Sequence, residues 1–240
     1  MPGDDVRGVF ADLHCHSSTS FDSLSRPGDL VRLARQRGLT HLAITDHERI
    51  EGALAARDLA AQGLTVIVGE EVRSADGDVI GLYLERAVPP GLSALETIAA
   101  IHEQGGLAGI PHPFDRFRVS GMARLSGQRL ADVVAAVDYV ETWNARVPAA
   151  SVNERAAAFA RDHGLPGVAV SDAHSLMEVG VACTRLAGPV EGPAELRAAL
   201  ADATLVPGRA SYLARALTPL AKLVQRTRGN GRIRPVTGAR

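Results

Sequence analysis

A chain of 240 residues, 46% hydrophobic and 22% charged, can fold as one large domain or two small ones and is too apolar to stay disordered. A formal net charge of -1 provides no global field for nucleic acid or an acidic membrane, although a local basic pocket is compatible with it. Two cysteines exclude a disulfide framework, MPGDDVRGVF lacks the pattern of a signal peptide, and no stretch reaches the ~18 apolar residues of a membrane span, so a cytoplasmic chain is expected.

In chain order, Gly8 to Leu13 is predicted as a strand, and Arg26-Pro27-Gly28-Asp29 opens a helix running to about Arg37. Leu39 to Thr45 is the next strand, and an Ala-rich helix follows from about Gly52 to Ala61. Leu64 to Val68 is a continuous apolar run of the length of a buried parallel strand. The polar turn Ser74 to Gly77 and the strand Val79 to Leu84 predict a hairpin. Ser93 to Gln104 is helical, Leu107 to Ile110 a strand, Gln128 to Ala136 helical and Val137 to Glu141 a strand. A helix over Ala149 to His163 and a strand over Gly167 to Val170 complete the alternation. Repeated strand–helix pairs favour an α/β barrel of parallel strands over an open doubly wound sheet. Neither GxGxxG after the first strand nor GxxxxGK[ST] occurs, so dinucleotide and P-loop sites lose their usual fingerprints.

The C-terminal part differs. From Leu217 to Arg240 the charged residues are Lys222, Arg226, Arg228, Arg232, Arg234 and Arg240, with no acid. Leu213 to Val224 is expected to form an amphipathic helix and the rest a solvated tail, with contact to nucleic acid or lipid as the alternative. Residues 1–212 are therefore read as one domain and 213–240 as a basic helix and tail.

Imidazoles and carboxylates recur at strand ends. They are Asp12-Leu13-His14-Cys15-His16, Thr45-Asp46-His47, Gly69-Glu70-Glu71, Ile110-Pro111-His112-Pro113 and Ser171-Asp172-Ala173-His174. Any one of these histidines, taken alone, is more simply a structural residue. Period-two spacing puts His14 and His16 on one side, where two imidazoles can grip one ion. Five such ends opening on the active face of a barrel point together to metal binding. His41, His102 and His163 are read as structural or surface residues, and Cys15, alternating away from the histidines, as a core thiol.

This collinear set, with Asp12-x-His14-x-His16 at its head, resembles the PHP (polymerase and histidinol phosphatase) superfamily over roughly residues 9 to 175. Residues 180–209 resemble the family's associated C-terminal segment. The resemblance implies a distorted (β/α)7 TIM-like barrel, the PHP barrel, with a two- or three-metal centre that cleaves phosphoesters. It implies His14, His16 and Asp172 at the first metal, Glu71 as bridging carboxylate, His112 at the second metal, and Asp22, His47 and His174 at the third. Asp12 and Asp46 are read as carboxylates that orient neighbouring groups. Many relatives carry a His where this chain has Asp78, which is expected to face the second metal because alternation puts it on the side of Ile80.

Mixed imidazole and carboxylate ligands suit Zn²⁺, Mn²⁺ or Fe²⁺. Two such ions supply a bridging hydroxide as nucleophile, with Asp172 and His174 as the catalytic residues and His174 or the third site assisting the leaving oxygen. Arg116 and Arg118, close after His112, are expected to hold phosphate, and Ser17 and Asn144 are further candidates for substrate contact. The expected substrates are nucleotides or short oligonucleotides, through nucleotide phosphatase or 5′-3′ exonuclease activity, and no obligate protein partner is evident. The alternatives are a small-metabolite phosphatase of the histidinol-phosphate kind, a non-catalytic PHP module assisting a partner such as a polymerase, and an amidohydrolase. The last lacks its strand-end lysine, since Lys222 is the only lysine in the chain.

Overall fold

The computed structural model describes residues 8–60, 62–115 and 125–233. The elements are β1 (Val9–Asp12), α1 (Pro27–Gln36), β2 (His41–Ile44), α2 (Glu51–Leu59), β3 (Thr65–Arg73), β4 (Asp78–Leu82), α3 (Ala94–His102), β5 (Leu107–Ile110), α4 (Gly127–Ala136), β6 (Tyr139–Asn144), α5 (Ala150–Asp162), β7 (Gly167–Val170), β8 (Cys183–Leu186), α6 (Pro193–Ala199), β9 (Thr204–Val206) and α7 (Tyr212–Thr227).

Alternation along β3 shows how these residues make a barrel. Val66, Val68 and Val72 pack outward against the helices, whereas Ile67 packs inward with Ile80, Leu82, Leu107, Tyr139, Val168 and Val170. The sheet runs in the order β7-β6-β5-β4-β3-β2-β1-β8-β9. Every adjacent pair from β1 to β7 is parallel except β3–β4 and β4–β5, so the hairpin strand β4 is the distortion in a (β/α)7 barrel.

Closure is made beyond the strand ends. Cys15 bridges Ala173, His16 N donates to Ala173 O at 2.8 Å, and the buried Asp12 carboxylate accepts from Ser171 N at 3.0 Å and Gly180 N at 2.9 Å. Asp12 is thus a latch between the first strand and the chain that follows the seventh. Lower down β8 is wedged beside β1, and Thr184 exchanges two 2.9 Å hydrogen bonds with the backbone of Ala169 on β7. Tyr139 fills the floor because Gly109 leaves room for it: a Cβ there would lie 2.2 Å from the ring.

Two strands run further than their apolar runs predict. Pairing with β4 draws β3 on to Arg73, which faces Asp78 across the hairpin. A bulge between Glu141 and Trp143 carries β6 on to Asn144 and brings Asn144 round to the side of Glu141. The expected solvated tail is also corrected. Gln225, Asn230 and Arg232 are bonded to the loop after β1 and the turn after β2, so the chain is docked as far as Arg232. Among the described residues no helix is long and apolar enough to cross a membrane.

Candidate metal centre

The upper mouth of the barrel collects the strand-end residues. His14 and His16 follow β1 and their Nε2 atoms lie 3.0 Å apart. Glu71 Oε2 is 3.2 Å from His14 Nε2 and 3.4 Å from His16 Nε2, and Asp172 Oδ1 is 3.6 and 3.5 Å from the same two atoms. Metal–nitrogen bonds of roughly 2.0–2.1 Å in a tetrahedral set place ligand atoms about 3.4 Å apart, so these four atoms fit one ion.

Glu71 is shared. Its Oε2 also lies 3.3 Å from His47 Nδ1, while Oε1 lies 3.2 Å from His112 Nε2. Asp78 joins Glu71 and His112 in a second buried group, and His16, Asp22, His47 and His174 form a third. In that third group Asp22 Oδ2 sits 3.4 Å from both His47 Nε2 and His174 Nε2. All nine metal-ligand residues read from the sequence therefore converge, and the two families of donors, imidazole and carboxylate, suit divalent transition metals. Glu71 rather than Glu70 is chosen by strand parity. Glu70 points outward, where its carboxylate accepts from Val88 N at 2.8 Å.

The electrostatics describe a site short of positive charge. Burial disfavours the charged form of His14, but Glu141, Asp172 and Glu71 outweigh it and hold its pKa well above 6.5. His47 is likewise lifted to about 9, burial being outweighed by Glu71 and Asp22. Burial would raise Glu71 and Asp22, yet the facing histidines hold both well below the usual carboxylate range. His16 is pushed well below 6.5 by burial and by His174. His16 Nδ1 and His112 Nδ1 are buried with no hydrogen-bond partner among the described residues. Two candidate ligands, His112 (φ 27°) and Asp172 (φ 52°), hold left-handed backbone, the kind of local strain found at functional sites.

Supporting groups fix these ligands. Asp46 accepts from Ser17 N at 2.6 Å and Ser17 Oγ at 2.5 Å, and burial lifts its pKa to about 7. Gly52 leaves space for that contact, since a Cβ would meet Asp46 Oδ2 at 2.2 Å. Ser17 is therefore buried at the mouth with its hydroxyl given to Asp46. Asn144 is buried beside it, and its Nδ2 donates to Glu141 Oε2 and Asp172 Oδ2, both at 3.0 Å. Arg116 and Arg118 lie outside the described residues.

Sequence reasoning missed Glu141 itself. Its Oε1 lies 2.6 Å from His14 Nδ1 and its Oε2 accepts from His112 N at 3.0 Å, so one carboxylate orients ligands of two groups. Its signal was its place on β6, two residues after the inward Tyr139. Glu178 was also missed; it accepts from His174 N at 3.1 Å and pairs with Arg146.

Barrel, shared carboxylate and three donor groups define a metal-dependent phosphoesterase of the PHP type. Residues 12–115 match the PHP domain and residues 150–205 the PHP-associated segment, and the chain belongs to the PHP superfamily. An uncharacterized protein of Methanocaldococcus jannaschii is 37% identical over 146 residues, covering 56% of this chain and 81% of the relative. A 5′-3′ exoribonuclease of Haemophilus influenzae is 32% identical over 117 residues, covering 43% of this chain and 42% of the enzyme, so less than half of that enzyme is matched. Among solved structures, a two-domain protein of Bacteroides vulgatus containing a PHP-like metal-dependent phosphoesterase superposes with a TM-score of 0.70 at 18% identity, over 84% of this chain and 65% of that one.

Proposed function

We propose that this phosphoesterase hydrolyses nucleotides or short oligonucleotides with two or three divalent ions, Mn²⁺, Zn²⁺ or Fe²⁺, held by the three donor groups. The observation that carries the reading is Glu71, whose two oxygens face different groups and so suit a carboxylate shared between ions. The likeness to an exoribonuclease supports the nucleotide class. His14, His16, Glu71 and Asp172, with the other two groups, would hold the ions, which would supply Lewis acidity at the phosphoryl oxygens and lower the pKa of water at the site.

Charge supports three ions. The ligand carboxylates Asp22, Glu71, Asp78 and Asp172 carry four negative charges when ionised. Two divalent ions cancel them and a third leaves a surplus of two, which matches a phosphomonoester dianion. Asp172 serves as a ligand of the first group. His174, near the mouth, holds its Nδ1 at 2.8 Å from Asp172 O, which leaves Nε2 facing Asp22; in this reading it assists the leaving oxygen.

The test is phosphate release from a panel of nucleotides, oligonucleotides and sugar phosphates, with and without Mn²⁺. Mn²⁺-dependent turnover of the nucleotide members is expected. Preference for a small sugar or amino-alcohol phosphate would transfer the protein to the metabolite phosphatases, and no turnover of any member would make it a binding module.

A further inference from the structure

The face by which α7 packs on the barrel reads Ala214, Ala221 and Gln225, a helical stripe on which a third small or apolar residue would be expected. Gln225 instead buries an amide. Its Nε2 lies 2.6, 2.9 and 2.7 Å from the carbonyl oxygens of Ser18, Ser20 and Ser23. Asn230, just past the helix, adds a 2.9 Å hydrogen bond from Nδ2 to Thr19 O. Four carbonyls of one short loop thus share the N–H groups, two on each nitrogen, of two amides of the C-terminal segment.

That loop carries Asp22. Ser20 Oγ donates to Asp22 Oδ1 at 2.7 Å, and Oδ2 is the oxygen that faces His47 and His174. At the other side of the same donor group, Arg232 donates to the Glu48 carboxylate from Nε and Nη2, the shortest contact being 2.9 Å. Glu48 follows His47 directly and holds left-handed backbone (φ 53°), so the turn needs an outside anchor. The segment from Gln225 to Arg232 therefore bonds both backbone pieces that present Asp22 and His47.

We infer that this segment is a positioning clasp for the third donor group: Gln225 and Asn230 are positioning residues that act through Asp22, and Arg232 acts through Glu48 on His47. The donor group is assembled only when the C-terminal segment is docked. The first group, built from residues that follow β1, β3 and β7 and oriented by Glu141, shares His16 with the third but takes no donor from the two backbone pieces that the clasp holds. This inference rests on the reading of the mouth as a divalent-metal centre.

The experiment is a Mn²⁺ titration of the full-length protein, with free Mn²⁺ followed by electron paramagnetic resonance, on the wild type, Gln225→Leu and Asn230→Ala. Circular dichroism and thermal melting of each chelated protein run alongside. One class of Mn²⁺ sites should weaken roughly 10- to 100-fold in each variant, the range found when groups that orient ligands are removed, while the tighter sites and the chelated fold stay unchanged. Should Gln225→Leu fail to fold, Asn230→Ala decides, because it lies beyond the helix and is only half-buried. All sites unchanged, or all weakened in proportion to a lost fold, would overturn the clasp. A wild type that binds no Mn²⁺ would overturn the metal reading as well, and the two failures are distinguishable.

Discussion

The lower and upper halves of the barrel interior are built by the same strands and bury opposite chemistry. Below, Ile67, Ile80, Leu82, Leu107, Tyr139, Val168 and Val170 form a closed apolar floor. Above, on the same inward parity, β3 carries Glu71 and β6 carries Glu141, and β4 begins with Asp78. The floor gains stability from burial alone, at roughly 25 cal/mol for each Å² of apolar surface removed from water. The mouth concentrates buried carboxylates that repel one another until protonated histidines or bound cations answer them. Stability and chemistry are thereby separated along each strand by a few residues.

The largest expected effect lies at the mouth. Glu71→Gln removes the shared carboxylate, so metal-dependent turnover should fall by more than about 100-fold, the upper figure for losing a group that merely orients a ligand. Steady-state kinetics at saturating Mn²⁺ check this, and an active variant would end the shared-ligand assignment. The matching change at the floor is Leu107→Ala, expected to cost about 2–5 kcal/mol of stability. Urea unfolding should register that loss while turnover per folded molecule holds. If turnover fell with stability intact, the two halves would not be separable.

Glu141→Gln comes next, because it leaves every ligand in place and loosens only their orientation. Metal affinity should drop roughly 10- to 100-fold, with a competing chelator as the measurement. An affinity equal to wild type would mean that the 2.6 Å contact to His14 does not set the ring.

How much of this contrast was legible in the sequence follows from the same alternation. The inward floor residues and the strand-end ligands share a period of two, which exposes both at once. Ser17 and Asn144 were legible as residues of the mouth, but their bonds to Asp46, Glu141 and Asp172 were not, since a sequence does not tell whether a polar side chain faces solvent or a neighbouring carboxylate. Glu141 was passed over although period two sets it on the side of Tyr139, because a single acid within a strand, beside no histidine, carries no ligand pattern of its own. Gln225 had no signal: a glutamine within an arginine- and leucine-rich helix reads as surface, and only the packing of α7 on the Asp22 loop makes it a donor.

The metal-free protein gives a pH test of the mouth. His47 titrates at about 9 and His14 is shifted the same way, both raised above 6.5 by carboxylates that outweigh burial. A raised folded pKa contributes stability that is complete below the unfolded value and is lost as pH climbs through the folded one. Asp22 and Glu71, shifted down, stay ionised throughout that window and do not offset the loss. The chelated protein should therefore melt at progressively lower temperature from pH 6.5 to 9. Protein loaded with Mn²⁺ should not follow it, because its imidazoles ligate without a proton. Parallel melting curves for the two forms would show that the histidines are neutral without metal.

The smallest effect concerns Asp78, at the boundary between the halves. Parity turns it inward with Ile80, and it is buried in the group with Glu71 and His112. Its Oδ1, however, already accepts from Arg73 Nε at 2.6 Å, and Arg232 Nη2 lies 3.9 Å away. Burial and then Glu71 raise its pKa, and Arg73 works against both. A carboxylate whose charge is partly answered by a guanidinium is a weaker donor than Glu71 or Asp172. Asp78→Ala should accordingly weaken one ion by less than about tenfold, below the range for a group that orients a ligand. Arg73 is partly exposed and can turn to water in that variant, so the fold should survive. Asp78→His replaces a hard anionic oxygen with a neutral nitrogen, and competition between Mn²⁺ and Zn²⁺ should then shift toward Zn²⁺. If both variants bind Mn²⁺ and Zn²⁺ as the wild type does, Asp78 belongs to the hairpin ion pair with Arg73 and the second group rests on Glu71 and His112.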